Sequence, residues 1–152
     1  AILLAAAVAT ALPAARAQES PKTPIETAAA YFAAMEASDL DAAGALFAAD
    51  SLIFETGGVE GTWREYRDHH IGPELDAIES FVISHAPPTE RTSADRTMAF
   101  VAWPIEYTIK LADGRTIVSR GTVTFVLENH GHHYMIRHLH WSSRKRPEPD
   151  AG

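Results

Sequence analysis

MAFVAWPIEYTIKLADGRTIVSRGTVTFVLENHGHHYMIRHLHWSSR, Met98 to Arg144, sets the fold class. β-Branched and aromatic residues dominate three runs within it, Met98 to Leu111, Thr116 to Glu128 and Tyr134 to Ser143. Turn signals separate them, Ala112-Asp113-Gly114 and Asn129-His130-Gly131. Asp-Gly favours a tight hairpin, so the three strands are expected to form an antiparallel meander. Phe81-Val82-Ile83 predicts a further strand before Pro87-Pro88. Pro104 lies inside a strand pattern and predicts an edge or a bulge, because proline donates nothing to a ladder.

Upstream of the strands the pattern is helical. Thr23-Pro24-Ile25-Glu26 combines a capping threonine, a proline at the first helical position and a glutamate that reaches back. Ile25, Ala29, Phe32 and Met35 follow at helical spacing. Asp39 caps a second helix whose apolar face is Leu40, Ala43, Leu46 and Phe47. Ser51 to Glu55 reads as a short strand ending at Gly57-Gly58. Thr62-Trp63-Arg64-Glu65 repeats the capping box and opens a third helix, with a break or kink expected at Gly72-Pro73. Helices first and a curved antiparallel sheet afterwards give an α+β domain.

Three stretches resemble the nuclear transport factor 2-like superfamily, in its SnoaL-like or ketosteroid-isomerase-like branch. They are YFAAMEASDLDAAGALFAADSLIF (Tyr31 to Phe54), EGTWREYRDHH (Glu60 to His70) and MIRHLHWSSR (Met135 to Arg144). The resemblance covers about residues 24–145 and implies a cone-shaped sheet wrapped around the N-terminal helices. It also implies a homodimer. The fold hosts isomerases, cyclases, hydrolases, ligand binders and assembly modules, so it fixes no activity. Isomerases of this kind use a carboxylate base with a tyrosine and a protonated aspartate. Glu55, Glu106, Tyr66 and Tyr107 are of those general types, without a position-by-position match.

The histidines are the other candidate site. Alternation along the last strand places Ile136, His138, His140 and Ser142 on one face, and Arg137, Leu139, Trp141 and Ser143 on the other. Two imidazoles spaced by two strand residues, about 7 Å between Cα atoms, can converge on one ion. On the third helix Trp63, Tyr66, Arg67, His70 and Glu74 fall on one side. His70, His138 and His140, with Glu74 or Glu55, make a nitrogen and oxygen ligand set suited to zinc or copper. Without a metal, His138 or Glu106 would serve as general base. Trp63, Tyr66 and Tyr107 are candidates for contact with a bound small molecule, and core packing explains the tryptophans equally well. The HGHH run, His130 to His133, reads as a solvated turn or a weak surface metal patch.

Composition narrows the partners. The formal charge of −7 argues against nucleic acid, which needs a basic surface. There is no cysteine, which removes disulfides and thiolate chemistry. The start AILLAAAVATALPAARA ends in a small-x-small pattern, so residues 1–17 are expected to be the remnant of a signal peptide and the mature chain periplasmic or secreted. After that start no run is long enough for a membrane span. The expected organisation is a linker over 18–23, one domain over 24–145 and a disordered tail over 146–152. The leading functional reading is a binding protein for a small ligand or transition metal with a histidine-lined cavity. Its rivals are an isomerase, hydrolase or lyase, metal-assisted or metal-free, and a dimeric interaction module using an exposed sheet face with Leu139 and Trp141.

Overall fold

The computed structural model describes residues 23–146. The signal-peptide remnant expected over 1–17, residues 18–22 of the expected linker and residues 147–152 of the expected tail lie outside the described residues. Helix α1, Pro24–Glu36, begins where the capping pattern places it. Thr23 Oγ1 accepts from the Glu26 amide, and the Glu26 carboxylate accepts from the Thr23 amide. Two helix-end N–H groups are thereby satisfied. Asp39 caps α2, Leu40–Gly44, through the Ala42 amide.

Strand β1, Phe47–Glu55, starts earlier than Ser51 and takes in Phe47, which the helical spacing had assigned to α2. The reason is tertiary: the Phe47 ring stacks on Trp63 at 4.8 Å, which outweighs a short helix's weak preference. After a turn at Thr56-Gly57, β2, Gly58–Gly61, pairs back onto β1. Three helical segments then follow without interruption: α3 (Trp63–Tyr66), a π-turn (Arg67–Ile71) and α4 (Gly72–Leu75). The remaining strands are β3 (Ile78–His85), β4 (Thr89–Thr92), β5 (Met98–Leu111), β6 (Thr116–Asn129) and β7 (Tyr134–Lys145).

The seven strands form one sheet in the order β2-β1-β7-β6-β5-β3, with β4 also pairing with β5. The β5-β6-β7 meander is antiparallel as expected, and β1 joins β7 in parallel. Pro104 sits where the neighbour of β5 changes from β4 to β3, and its carbonyl accepts from the Ala86 amide. At Gly121 the Ser142 carbonyl comes so close that a Cβ would lie 2.2 Å from it, so β6 and β7 can approach this way only around a glycine.

Helix α1 fills the concave side. Tyr31 meets Phe125 edge-on at 5.7 Å, and Phe32 meets Trp103 at 5.3 Å and Trp141 at 6.1 Å. Thr27, also on this face, donates to the Tyr134 carbonyl, so a buried hydroxyl is satisfied.

One irregularity in β7 decides where the histidines go. Leu127 pairs with Ile136, but the preceding residue, Val126, pairs with His138, which leaves Arg137 as an extra residue. This is a β-bulge. It reverses the alternation: Ile136, Leu139 and Trp141 face the core, whereas His138 and His140 face outward. The single face expected for Ile136, His138 and His140 is therefore not formed. Leu139 and Trp141, which the interaction-module alternative needs on an exposed face, are buried.

Candidate functional site

Glu55 ends β1 on the inner face, beside Trp141 of β7. Thr62 caps α3 through the Glu65 amide, and the Glu65 carboxylate accepts from the Thr62 amide. That fixes where the helix begins and so which residues face β1. Trp63 and Tyr66 turn inward and are buried, and His70 follows one turn later. A regular helix cannot continue cleanly into Pro73, which lacks an N–H and crowds the preceding turn. The chain answers with the wider π-turn rather than a break, and His70 lies within it.

The result is a compact polar cluster. The Tyr66 hydroxyl donates to Glu55 Oε2 at 2.7 Å. His70 Nδ1 lies 2.8 Å from Glu60 Oε2 on β2. His70 Nε2 lies 3.7 Å from Glu55 Oε2 and 3.3 Å from Glu74 Oε1. The Tyr66 and His70 rings are 5.2 Å apart. Glu55, Glu60 and His70 are partly buried, whereas the Glu74 side chain is 58% exposed.

Burial pushes the Glu55 carboxyl above the ordinary range, against the opposing pull of the Tyr66 hydroxyl and the His70 charge. Burial likewise holds the Tyr66 phenol well above its ordinary value, so it stays a donor. For His70, desolvation favours the neutral ring, but the bond to Glu60 and the charges of Glu55 and Glu74 outweigh it and raise the pKa. Both groups of the pair therefore hold their protons to higher pH than they would in water.

The other sequence candidates lie elsewhere. His138 Nδ1 hydrogen-bonds the Leu52 carbonyl, and its ring meets Phe54 edge-on at 5.0 Å. His140 is exposed on the same outer face. Neither joins His70, so the three-histidine ligand set is not assembled. Among the described residues no group of three or more His, Asp or Glu is arranged to hold a metal ion. The donors near His70 stand at hydrogen-bond and ion-pair distances from one another.

Glu106 is also on the outer face, 3.5 Å from Arg146, and is removed from the cluster. Tyr107 points inward, with its hydroxyl 2.9 Å from Ser143 Oγ and its ring 5.6 Å from Trp141. Trp63 is a core residue stacked on Phe47. In the HGHH turn, His130 pairs with Glu128 at 3.4 Å and lies 6.1 Å from the His133 ring.

Sequence reasoning missed Glu60. A signal was present: Gly57-Gly58 marks a hairpin, and a hairpin returns Glu60 to the end of β1 that carries Glu55.

Comparison with solved structures agrees with this architecture. A nuclear transport factor 2-like superfamily protein from Salmonella enterica superposes with a TM-score of 0.70 at 18% identity, covering 84% of this chain and 92% of that one. The chain has the nuclear transport factor 2-like fold. A putative scytalone dehydratase from Novosphingobium aromaticivorans shares this nuclear transport factor 2-like architecture with a TM-score of 0.68 at 13% identity, covering 85% of this chain and 86% of that one. A putative ketosteroid isomerase from Shewanella frigidimarina gives 0.62 at 20% identity, covering 76% and 91%. No protein-family model and no curated protein matches the chain. No helix among the described residues is long and apolar enough to cross a membrane.

Proposed function

We propose that the Glu55–Tyr66–His70 cluster is an acid–base site that moves a proton on a small cyclic substrate, as an isomerase or lyase does. The observation that carries this reading is the 3.7 Å separation of His70 Nε2 and Glu55 Oε2, with the far side of the imidazole held by Glu60. A single small fragment can reach both atoms. Glu60 accepts from Nδ1–H, so the neutral ring presents Nε2 as the base. Nε2 takes the proton from carbon next to a carbonyl. Glu55, with its raised pKa, supplies a proton to the carbonyl oxygen, and Tyr66 fixes the carboxyl in place. Glu74 is exposed enough to swing away from Nε2 when substrate enters. Trp141, beside Glu55, and Tyr107 offer an aromatic wall for the apolar body.

Similarity to the putative dehydratase and the putative isomerase supports the same class. The proposed setting is periplasmic or secreted, resting on the pattern of residues 1–17, and the proposed partner is a small molecule.

The test is deuterium uptake from D2O into 2-tetralone, a bicyclic ketone with acidic protons next to its carbonyl. Uptake is expected above the buffer rate, and to fall about 10²- to 10⁴-fold in His70→Gln and in Glu55→Gln. Uptake that is absent in the wild type, or unchanged in both variants, would refute the reading.

A further inference from the structure

We infer that the outer face of the sheet carries a second site, a groove for a small oxyanion held between Arg120 and Arg144. The groove has a volume of about 690 Å³ and is lined by Pro104, Glu106, Arg120, Thr122, Ser142 and Arg144 among others. That volume falls within the roughly 300–1,000 Å³ of small-molecule sites. It lies on the face opposite the Glu55–His70 cluster and uses none of its residues.

Arg120 and Arg144 are direct cross-strand partners on β6 and β7. Like charges placed opposite each other repel. The chain has 20 Asp and Glu against 13 Lys and Arg, so carboxylates to relieve the repulsion are plentiful. None does so: among the described residues neither guanidinium makes a hydrogen bond or an ion pair. Glu106 is the cross-strand partner of Arg120 on the other side, yet it pairs with Arg146 instead. Arg137, by contrast, binds Asp50 through both guanidinium ends and lies 3.4 Å from Glu128.

Thr122 and Ser142 are also direct partners, two residues along from the arginine pair, and therefore on the same face. Two guanidinium forks and two hydroxyls thus converge on one patch. Planar guanidinium matches the paired oxygens of carboxylate and phosphate. Pro104, opposite Thr122, adds an apolar wall for whatever carries the head group.

The experiment is a chemical-shift titration of the ¹⁵N-labelled full chain at low salt, with benzoate and with inorganic phosphate as separate probes. Saturable shifts are expected at the amides of Arg120, Thr122, Ser142 and Arg144. Tighter binding of benzoate would identify a carboxylate with an apolar body, and tighter binding of phosphate a phosphate head. Affinity is expected to fall at least about 10-fold in Arg120→Gln/Arg144→Gln, and to fall in Arg120→Lys/Arg144→Lys, which keeps the charge but loses the fork. Unchanged spectra elsewhere report that these variants fold. The inference is overturned by any one of three results. The first is no saturable shift with either probe up to about 20 mM, beyond the weak range of useful affinities. The second is equal affinity in the Gln double variant. The third is light scattering in which that variant turns a dimer into a monomer, which would make the groove a contact between copies.

Discussion

Glu60 sets which nitrogen of His70 meets a substrate. Replacing it by glutamine removes the charge that holds Nδ1–H, and proton-transfer activity is expected to fall about 10- to 100-fold, the size of loss seen when the partner orienting a histidine is removed. The ionisation of His70 seen in the pH–rate profile should move to lower pH in the same variant, since a carboxylate that raises it is gone. Stability should show the same linkage. The His70 pKa is raised in the folded chain, so its contribution is complete below the ordinary histidine value, about 6.5, and is lost as pH rises through the raised value. Glu55 is raised too, so its contribution fades in the same direction. The wild-type unfolding midpoint should therefore drop between about pH 6 and pH 9 by more than that of His70→Gln, measured in parallel melts. At this scale much of the cluster was legible. Tyr66, His70 and Glu74 follow from helical spacing, and Glu55 from its place at a strand end. His138 and His140 were misplaced because Arg137 gives no sign in its side chain that the backbone bulges there.

Among the elements, the π-turn is the one that positions the chemistry. Pro73 was expected to break the helix, and that reading located the disturbance but not its form. A proline ring forbids the regular bond without saying whether the chain kinks or widens. Gly72 is what permits the widening: a Cβ there would lie 2.4 Å from the Arg67 carbonyl oxygen, a rigid backbone atom. Gly72→Ala is expected to cost about 1–3 kcal/mol in urea unfolding, the usual range for forcing an atom into filled space, and to lower activity by moving His70. Thr62→Ala, which removes the cap of the same helix, should cost about 1 kcal/mol. Finding Gly72→Ala as stable as the wild type would show that the turn relaxes freely. The long strands and both capping boxes were readable because hydrophobic period and cap chemistry are local. The edge strands β2 and β4 were not, because four residues of mixed polarity carry no period, and their pairing is a tertiary fact.

For the molecule as a whole, stability and surface function divide along the two faces of one curved sheet. Phe125 is fully buried against Tyr31 and Phe32, and Phe125→Ala is expected to destabilise by about 3–5 kcal/mol. His140→Ala, on the exposed face, should stay within about 0.5 kcal/mol of the wild type and leave proton transfer intact, as chemical denaturation and the tetralone assay will report. The bulge at Arg137 works on this division like a frameshift. Before it, one parity of residue number means interior; after it, the other does. A comparison that runs through position 137 without a gap will exchange lining for surface at every later residue of β7, and will credit His138 and His140 with the constraints that act on Leu139 and Trp141. Deleting Arg137 would test this, since removing the extra residue leaves a regular strand in which Ile136, Leu139 and Trp141 still face the core and His138 and His140 still face water.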